Sequence, residues 1–189
     1  MPNYRRFFVP GGTYFFTVVT HQRRPLFHID VNRVLLGDVI RECQKEWPFE
    51  MKAIVLLPDH LHAIWTLPVG DQNYSGRWSV IKKNFTTQFL ANGGSDGSVS
   101  FGKQREHRRG VWQRRFWEHT IQNEDDFQTH FDYIHFNPVR HQLVSCPKQW
   151  EPSSFRRWVK AGVYPVDWAC GTAPKPTFPS TQENYGEAY

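Results

Sequence analysis

Hydrophobic positions change period several times along the chain, and each change predicts an element. Residues 13 to 20, TYFFTVVT, are β-branched and aromatic and follow the Gly11-Gly12 turn, which predicts a first strand. Over residues 31 to 46, Val34, Leu35, Val39, Ile40 and Cys43 fall at helical spacings, with Asp30 as N-cap and Trp47-Pro48 as the stop. The runs 51 to 57 (MKAIVLL) and 61 to 67 (LHAIWTL) are strand-like and separated only by Pro58, Asp59 and His60, a hairpin's spacing. Ile81, Phe85 and Phe89 predict a second helix over 77 to 91, and 111 to 121, VWQRRFWEHTI, reads as a fourth strand. Asn123 then caps a last helix whose Glu124, Asp125 and Asp126 suit its positive N-terminal end.

This β-α-β-β-α-β-α order predicts an α+β chain, a ferredoxin-like split βαβ antiparallel sheet with helices on one face and an added C-terminal helix. Residues 91 to 110, rich in Gly and Ser and then in Arg, read as a mobile basic loop. A domain over 1 to 170 is expected, followed by a Pro-rich, flexible tail over 171 to 189. At 189 residues the chain can bury about 70% of its unfolded surface, enough for one core, and its 16% aromatic content is foreign to disordered chains. Cys43, Cys146 and Cys170 form no CxxC pair, so neither a zinc ribbon nor a disulfide framework is expected. The N-terminus lacks a signal peptide's apolar core and no run reaches the ~18 apolar residues of a membrane span, so a cytoplasmic protein without membrane contact is expected.

The formal charge of +5 is modest, but its placement is not. Between residues 77 and 115 nine basic residues, among them Lys82, Lys83, Arg105, Arg108, Arg109, Arg114 and Arg115, face only Asp96 and Glu106. Trp78, Phe85, Phe89, Phe101, Trp112, Phe116 and Trp117 lie among them, the mixture that neutralises phosphates and stacks bases.

In the run LLPDHLHAIW, His60 and His62 are two apart on a strand and share a face, so both imidazoles can reach one ion. Such a pair, taken alone, is more often an ordinary surface or packed feature of a strand. On the last helix Phe127, Phe131 and Ile134 form a core stripe, and His130, Tyr133 and Asn137 a second one. Tyr133 and Asn137, at i and i+4, can face one site; by themselves they are also a core-edge tyrosine and a C-terminal cap, with Pro138 ending the helix.

Taken together, PDHLHAIWTLP at 58 to 68, WQRRFWEHTI at 112 to 121, DYIHFNPVRHQLV at 132 to 144 and WEPSSFRRWVKAGVYPVDW at 150 to 168 resemble the HUH single-strand DNA transposases with one catalytic tyrosine. The likeness is greatest to their REP-associated branch. The resemblance implies that the added helix carries the nucleophile, Tyr133, and that His60, His62 and Asn137 hold Mg²⁺ or Mn²⁺. In the broader group a glutamine stands where this chain has Asn137, as the REP-associated branch does. Implied too are a 5′-phosphotyrosine intermediate and, as partner, a REP-like palindrome folded as a single-stranded DNA hairpin with an adjacent GTAG-type tetranucleotide. A monomer is favoured over a homodimer. Arg5, Arg6, Lys82, Lys83, Arg105, Arg108, Arg109, Arg114 and Arg115 are the candidate nucleic-acid contacts. His130 is a candidate base, although an exposed helix histidine without a role is the more ordinary reading. A non-catalytic nucleic-acid-binding module, either a domesticated hairpin binder or an RNA-recognition-like domain, is the alternative; no RNP1-like run supports the latter. Neither HExxH nor a Cys-rich set points to a zinc hydrolase.

Overall fold

A computed structural model describes residues 8–98, 109–178 and 185–186. The candidate contacts Arg5, Arg6, Arg105 and Arg108, and half of the expected 91 to 110 loop, lie outside the described residues. Four strands, β1 (Thr13–Val19), β2 (Glu50–Leu56), β3 (His60–Thr66) and β4 (Trp117–Thr120), form one sheet. Its order is β2-β3-β1-β4, and every neighbouring pair is antiparallel. Helices α1 (Asp30–Glu46) and α2 (Tyr74–Ala91) make the two crossovers, α3 (Glu124–Arg140) follows β4, and α4 (Phe155–Lys160) is short. This is the split βαβ arrangement expected from the sequence.

Period-2 alternation sorts the sheet into two apolar faces. Tyr14, Phe16 and Val18 of β1 share one with Leu61, Ala63 and Trp65 of β3, under α1 and α2. Trp65 stacks on Phe49 at 4.0 Å and on Trp78 at 4.3 Å. Phe15, Ala53, Val55 and Ile64 line the opposite face, packed with Phe131, Tyr133 and Ile134 of α3. The expectation of helices on one face is therefore incomplete, since α3 and α4 cover the second. Apart from Thr13 and Thr17, the β1 side chains on both faces are hydrophobic, which is how a strand buried on two sides reads. Register matters for the same reason: a one-residue slip in β3 would carry both histidines to the α1–α2 core.

Several boundaries differ from expectation. Helix α1 begins at Asp30 itself, and its N-cap, Ile29, makes no side-chain cap bond. Helix α2 starts at Tyr74 because Asn73 Oδ1 accepts from Gly76 N (2.9 Å). The fourth strand shrinks to four residues; Trp112 forms only an isolated bridge to Thr20, and Arg114 and Arg115 between them are exposed. Helix α3 does not stop before Pro138 but runs through it to Arg140, with His141 N donating to Asn137 O (2.9 Å). Proline at this point deletes one amide donor without ending the last turn. Against the reading of the cysteines, Cys146 and Cys170 are disulfide-bonded, joining segments that only the fold brings together; Cys43 is free and buried. Among the described residues no helix is long and apolar enough to cross a membrane.

Asn123 acts as expected: its Oδ1 accepts from Asp126 N (2.9 Å). Asn123→Ala should cost about 1 kcal/mol by removing this cap. Its check is the midpoint of urea unfolding followed by circular dichroism.

Candidate active site

Strand β3 presents His60 and His62 on the α3 side, opposite Val19 and Thr17 of β1. Their ring centroids are 5.0 Å apart, and both side chains are buried. Each Nδ1 has a partner that fixes its ring. Thr17 Oγ1 lies 2.8 Å from Nδ1 of His62, and an Asp59 carboxylate oxygen lies 2.5 Å from Nδ1 of His60. Asp59 is itself held by Arg23 Nη1 at 3.0 Å. Burial alone would raise its pKa, but the His60 hydrogen bond, reinforced by Arg23, outweighs burial and lowers it. A carboxylate behind a histidine is the usual support of a metal-binding imidazole, since it orients the ring and leaves Nε2 for the ion. The donor set thus fits a divalent cation on chemical grounds. Asn137 is fully buried one turn beyond Tyr133 on α3.

Tyr133 packs its ring against His62 (centroids 5.3 Å) and is fully buried. Arg140, the last residue of α3, donates from Nη1 to Tyr133 Oη (2.6 Å) and lies over the same ring at 5.1 Å. The other side of Tyr133 meets residues of the segment that the sequence sets apart as a tail: Tyr185 stacks on it at 3.6 Å, and Phe178 meets it edge-on at 5.2 Å. Thr17 Oγ1 also donates to the Tyr185 carbonyl.

The structure therefore brings His60, His62 and Tyr133 together and adds Asp59, Thr17, Arg140 and Tyr185, which the sequence reading left without roles. Asp59 was visible beside His60 in the PDHLH run; Arg140 was hidden by the expectation that Pro138 closes the helix. His130 is not an exposed residue. It is fully buried, its Nδ1 donates to the Asp126 carbonyl (2.9 Å), and burial lowers its pKa to about 4. The Asp126 carboxylate accepts from Gln122 N (2.9 Å) and contacts His119 Nε2 (2.8 Å), so this cluster secures the start of α3.

The basic window divides. Arg77 is buried against Asp71 (2.6 Å) and the Pro48 carbonyl (2.8 Å), a clamp between α1 and α2. Lys82 donates to the Gln113 carbonyl (2.9 Å), and Arg109 pairs with Asp96 (2.8 Å) while remaining exposed. Lys83, Arg114 and Arg115 are exposed. Trp78, Phe85 and Phe89, expected to stack bases, are core residues, because α2 turns its aromatics inward.

His135, on the far side of α3 from this site, has Nδ1 2.9 Å from the Phe131 carbonyl and Nε2 2.9 Å from Ser154 Oγ. Burial lowers its pKa from 6.5 to about 3, against the opposing pull of the Phe131 carbonyl. Between those values the unfolded chain binds the additional proton, so stability falls as pH falls from 6.5 toward 3. Thermal melts across that range should show a shallower pH dependence for His135→Asn than for the parent chain.

The solved structure of a REP-associated tyrosine transposase bound to a REP hairpin matches with a TM-score of 0.75 and 38% identity, over 95% of this chain and 100% of that one. The fold is thus that of a tyrosine transposase. An Escherichia coli REP-associated tyrosine transposase is 42% identical over 172 residues, 89% of this chain and 92% of the relative. A Haemophilus influenzae protein provisionally assigned to the same group is 43% identical over 170 residues, 89% of this chain and 93% of the relative. No protein-family model matches. The chain belongs to the REP-associated tyrosine transposases.

Proposed function

We propose that this chain binds REP-type DNA hairpins and cuts and rejoins single-stranded DNA through Tyr133. The observation that carries this reading is a buried tyrosine whose oxygen is held by Arg140 and whose ring rests on His62. Family membership supports the substrate class, because the solved relative is bound to a REP hairpin. His60, His62 and Asn137 would hold Mg²⁺ or Mn²⁺. When bound, the ion offsets the charge of the phosphodiester and fixes its orientation.

The protein's own residues supply the rest. Arg140 places a cationic donor on the oxygen that must become nucleophilic, and a guanidinium there favours negative charge on it. Asp59 and Thr17 hold the two imidazoles in fixed orientations, so little reorganisation is required when DNA arrives. The Tyr133 oxygen attacks phosphorus, a phosphotyrosine bond to the 5′ side forms, and the strand with the 3′-hydroxyl is released. Reversal rejoins the strands without ATP, since the ester retains the energy of the broken bond. Tyr185 must leave the face of Tyr133 before DNA can be seated, because the ring is fully buried beneath it. Exposed Lys83, Arg114 and Arg115 remain the candidate phosphate contacts.

The test is cleavage of a single-stranded hairpin with Mn²⁺, read as a covalent protein–DNA band. In the same assay Arg140→Ala should slow single-turnover cleavage by about 10- to 100-fold, the scale of losing one charge-stabilising donor, with hairpin affinity unchanged. Arg140→Lys should recover part of the rate. Parent-like cleavage by Arg140→Ala would remove Arg140 from the mechanism.

A further inference from the structure

A cavity of about 320 Å³ opens beside His60. It is lined by His60, Arg23, Pro25, Asp59, His141 and Leu143 among others, but by neither His62 nor Tyr133. Aromatic contacts lead from the nucleophile to it: Tyr133 rests on His62 (5.3 Å), His62 on His60 (5.0 Å), and His60 on His141 (5.5 Å). At the Tyr133 end, Tyr185 and Phe178 close the site. Of the expected metal-binding residues, His60 therefore meets open space on its side removed from the tyrosine.

Displacement at phosphorus places attacking and leaving oxygens roughly in line, on opposite sides of the phosphoryl group. With Tyr133 on one side, the leaving nucleoside belongs on the other. We propose that this cavity receives the deoxynucleoside immediately 5′ of the scissile phosphate, the one whose 3′-oxygen leaves. The inference rests on the reading of Tyr133 as nucleophile. The new bond joins Tyr133 Oη to phosphorus and its phenolic proton passes to solvent. The bond from phosphorus to O3′ breaks, its electron pair stays on O3′, and that oxygen takes a proton from water.

The walls suit such an occupant. The volume lies at the lower end of the ~300–1,000 Å³ range of ligand pockets, which favours one nucleoside over a longer segment. Pro25 and Leu143 offer apolar surface to a base or sugar, and Leu143 is 40% exposed, so it forms part of an open rim. Arg23, its side chain 36% exposed, brings a cation to the mouth, where the next phosphate toward the 5′ end would pass. Asp59 fixes Arg23 there. Gln22 and Arg23 at this corner have φ of 54° and 51°, a left-handed backbone that non-glycine residues adopt at some cost.

The experiment measures single-turnover cleavage of a REP-type hairpin with Mn²⁺, using strands that carry one abasic site. An abasic site immediately 5′ of the cleaved phosphate should slow cleavage by about tenfold or more, the scale of a misplaced reacting group. The same change immediately 3′ of it should have a much smaller effect. Leu143→Trp, which fills the cavity from its rim, should slow cleavage of intact DNA but add little further loss on the 5′-abasic strand, the non-additivity of a shared contact. Arg23→Ala serves as a second variant if Leu143→Trp folds poorly. Equal loss from abasic sites on both sides, or additive losses, would overturn the cavity assignment while leaving Tyr133 in place. No Tyr133-linked adduct on any intact hairpin would overturn the underlying reading and the assignment with it.

Discussion

Tyr133→Phe is expected to abolish the covalent protein–DNA adduct while leaving hairpin binding intact. The substitution deletes one oxygen, the atom that accepts from Arg140, and keeps the ring that packs against His62, Phe15 and Tyr185. Folding should therefore change little, although Arg140 loses an acceptor. The chemistry should change by orders of magnitude, since on the proposed reading no covalent ester can form without this oxygen. Tyr185 is the natural substitute by position, stacked 3.6 Å away. Its own oxygen is poorly suited: burial raises its pKa to about 12, although Arg140 acts in the opposite direction. Filter binding and denaturing electrophoresis on the same hairpin separate the two properties. An adduct formed by Tyr133→Phe at the parent rate would refute the assignment.

The second large effect is expected at His62. His62→Ala should abolish the saturable stimulation of cleavage by Mn²⁺ and reduce the rate by about 100-fold or more, because on the proposed reading it removes a direct ligand and not only a supporting contact. Thr17→Val tests the support separately. It keeps the shape of the side chain on β1 and removes the hydroxyl 2.8 Å from His62 Nδ1, so the Mn²⁺ requirement should rise by about tenfold with the maximal rate largely preserved. Circular dichroism guards against the trivial outcome, since His62 is fully buried and its truncation leaves a void beside Tyr133. An unchanged Mn²⁺ titration for His62→Ala would show that the ion acts elsewhere.

How much of this was legible in the sequence depended on how local the signal was. The hairpin from β2 to β3 and the shared face of His60 and His62 follow from period-2 alternation and a three-residue turn, and the observed strands lie within one residue of expectation. The spacing of Tyr133 and Asn137 follows equally from helix geometry. The surroundings of α3 did not. Its apparent polar stripe, His130, Tyr133 and Asn137, is as buried as its apolar one, because residues from distant parts of the chain cover the second face of the sheet. Periodicity records how much of a helix is apolar, not what will later pack over it. Arg140 was missed because a proline two residues earlier suggested a helix end, whereas the structure carries the turn through and brings the guanidinium back to the tyrosine oxygen. The basic window was overread for a different reason. Counting charges does not reveal that Arg77 is spent inside the protein on Asp71, while Lys83, Arg114 and Arg115 face solvent.

The most direct measurement is to map the protein–DNA bond itself. After incubation with a 5′-extended single-stranded hairpin and Mn²⁺, the adduct is digested with protease and nuclease and the modified peptide sequenced by mass spectrometry. The expected result is a nucleotide on Tyr133, in a peptide spanning part of α3, formed only with divalent metal present. A nucleotide on Tyr185 or any other residue would contradict the account, as would strand cleavage without a covalent intermediate.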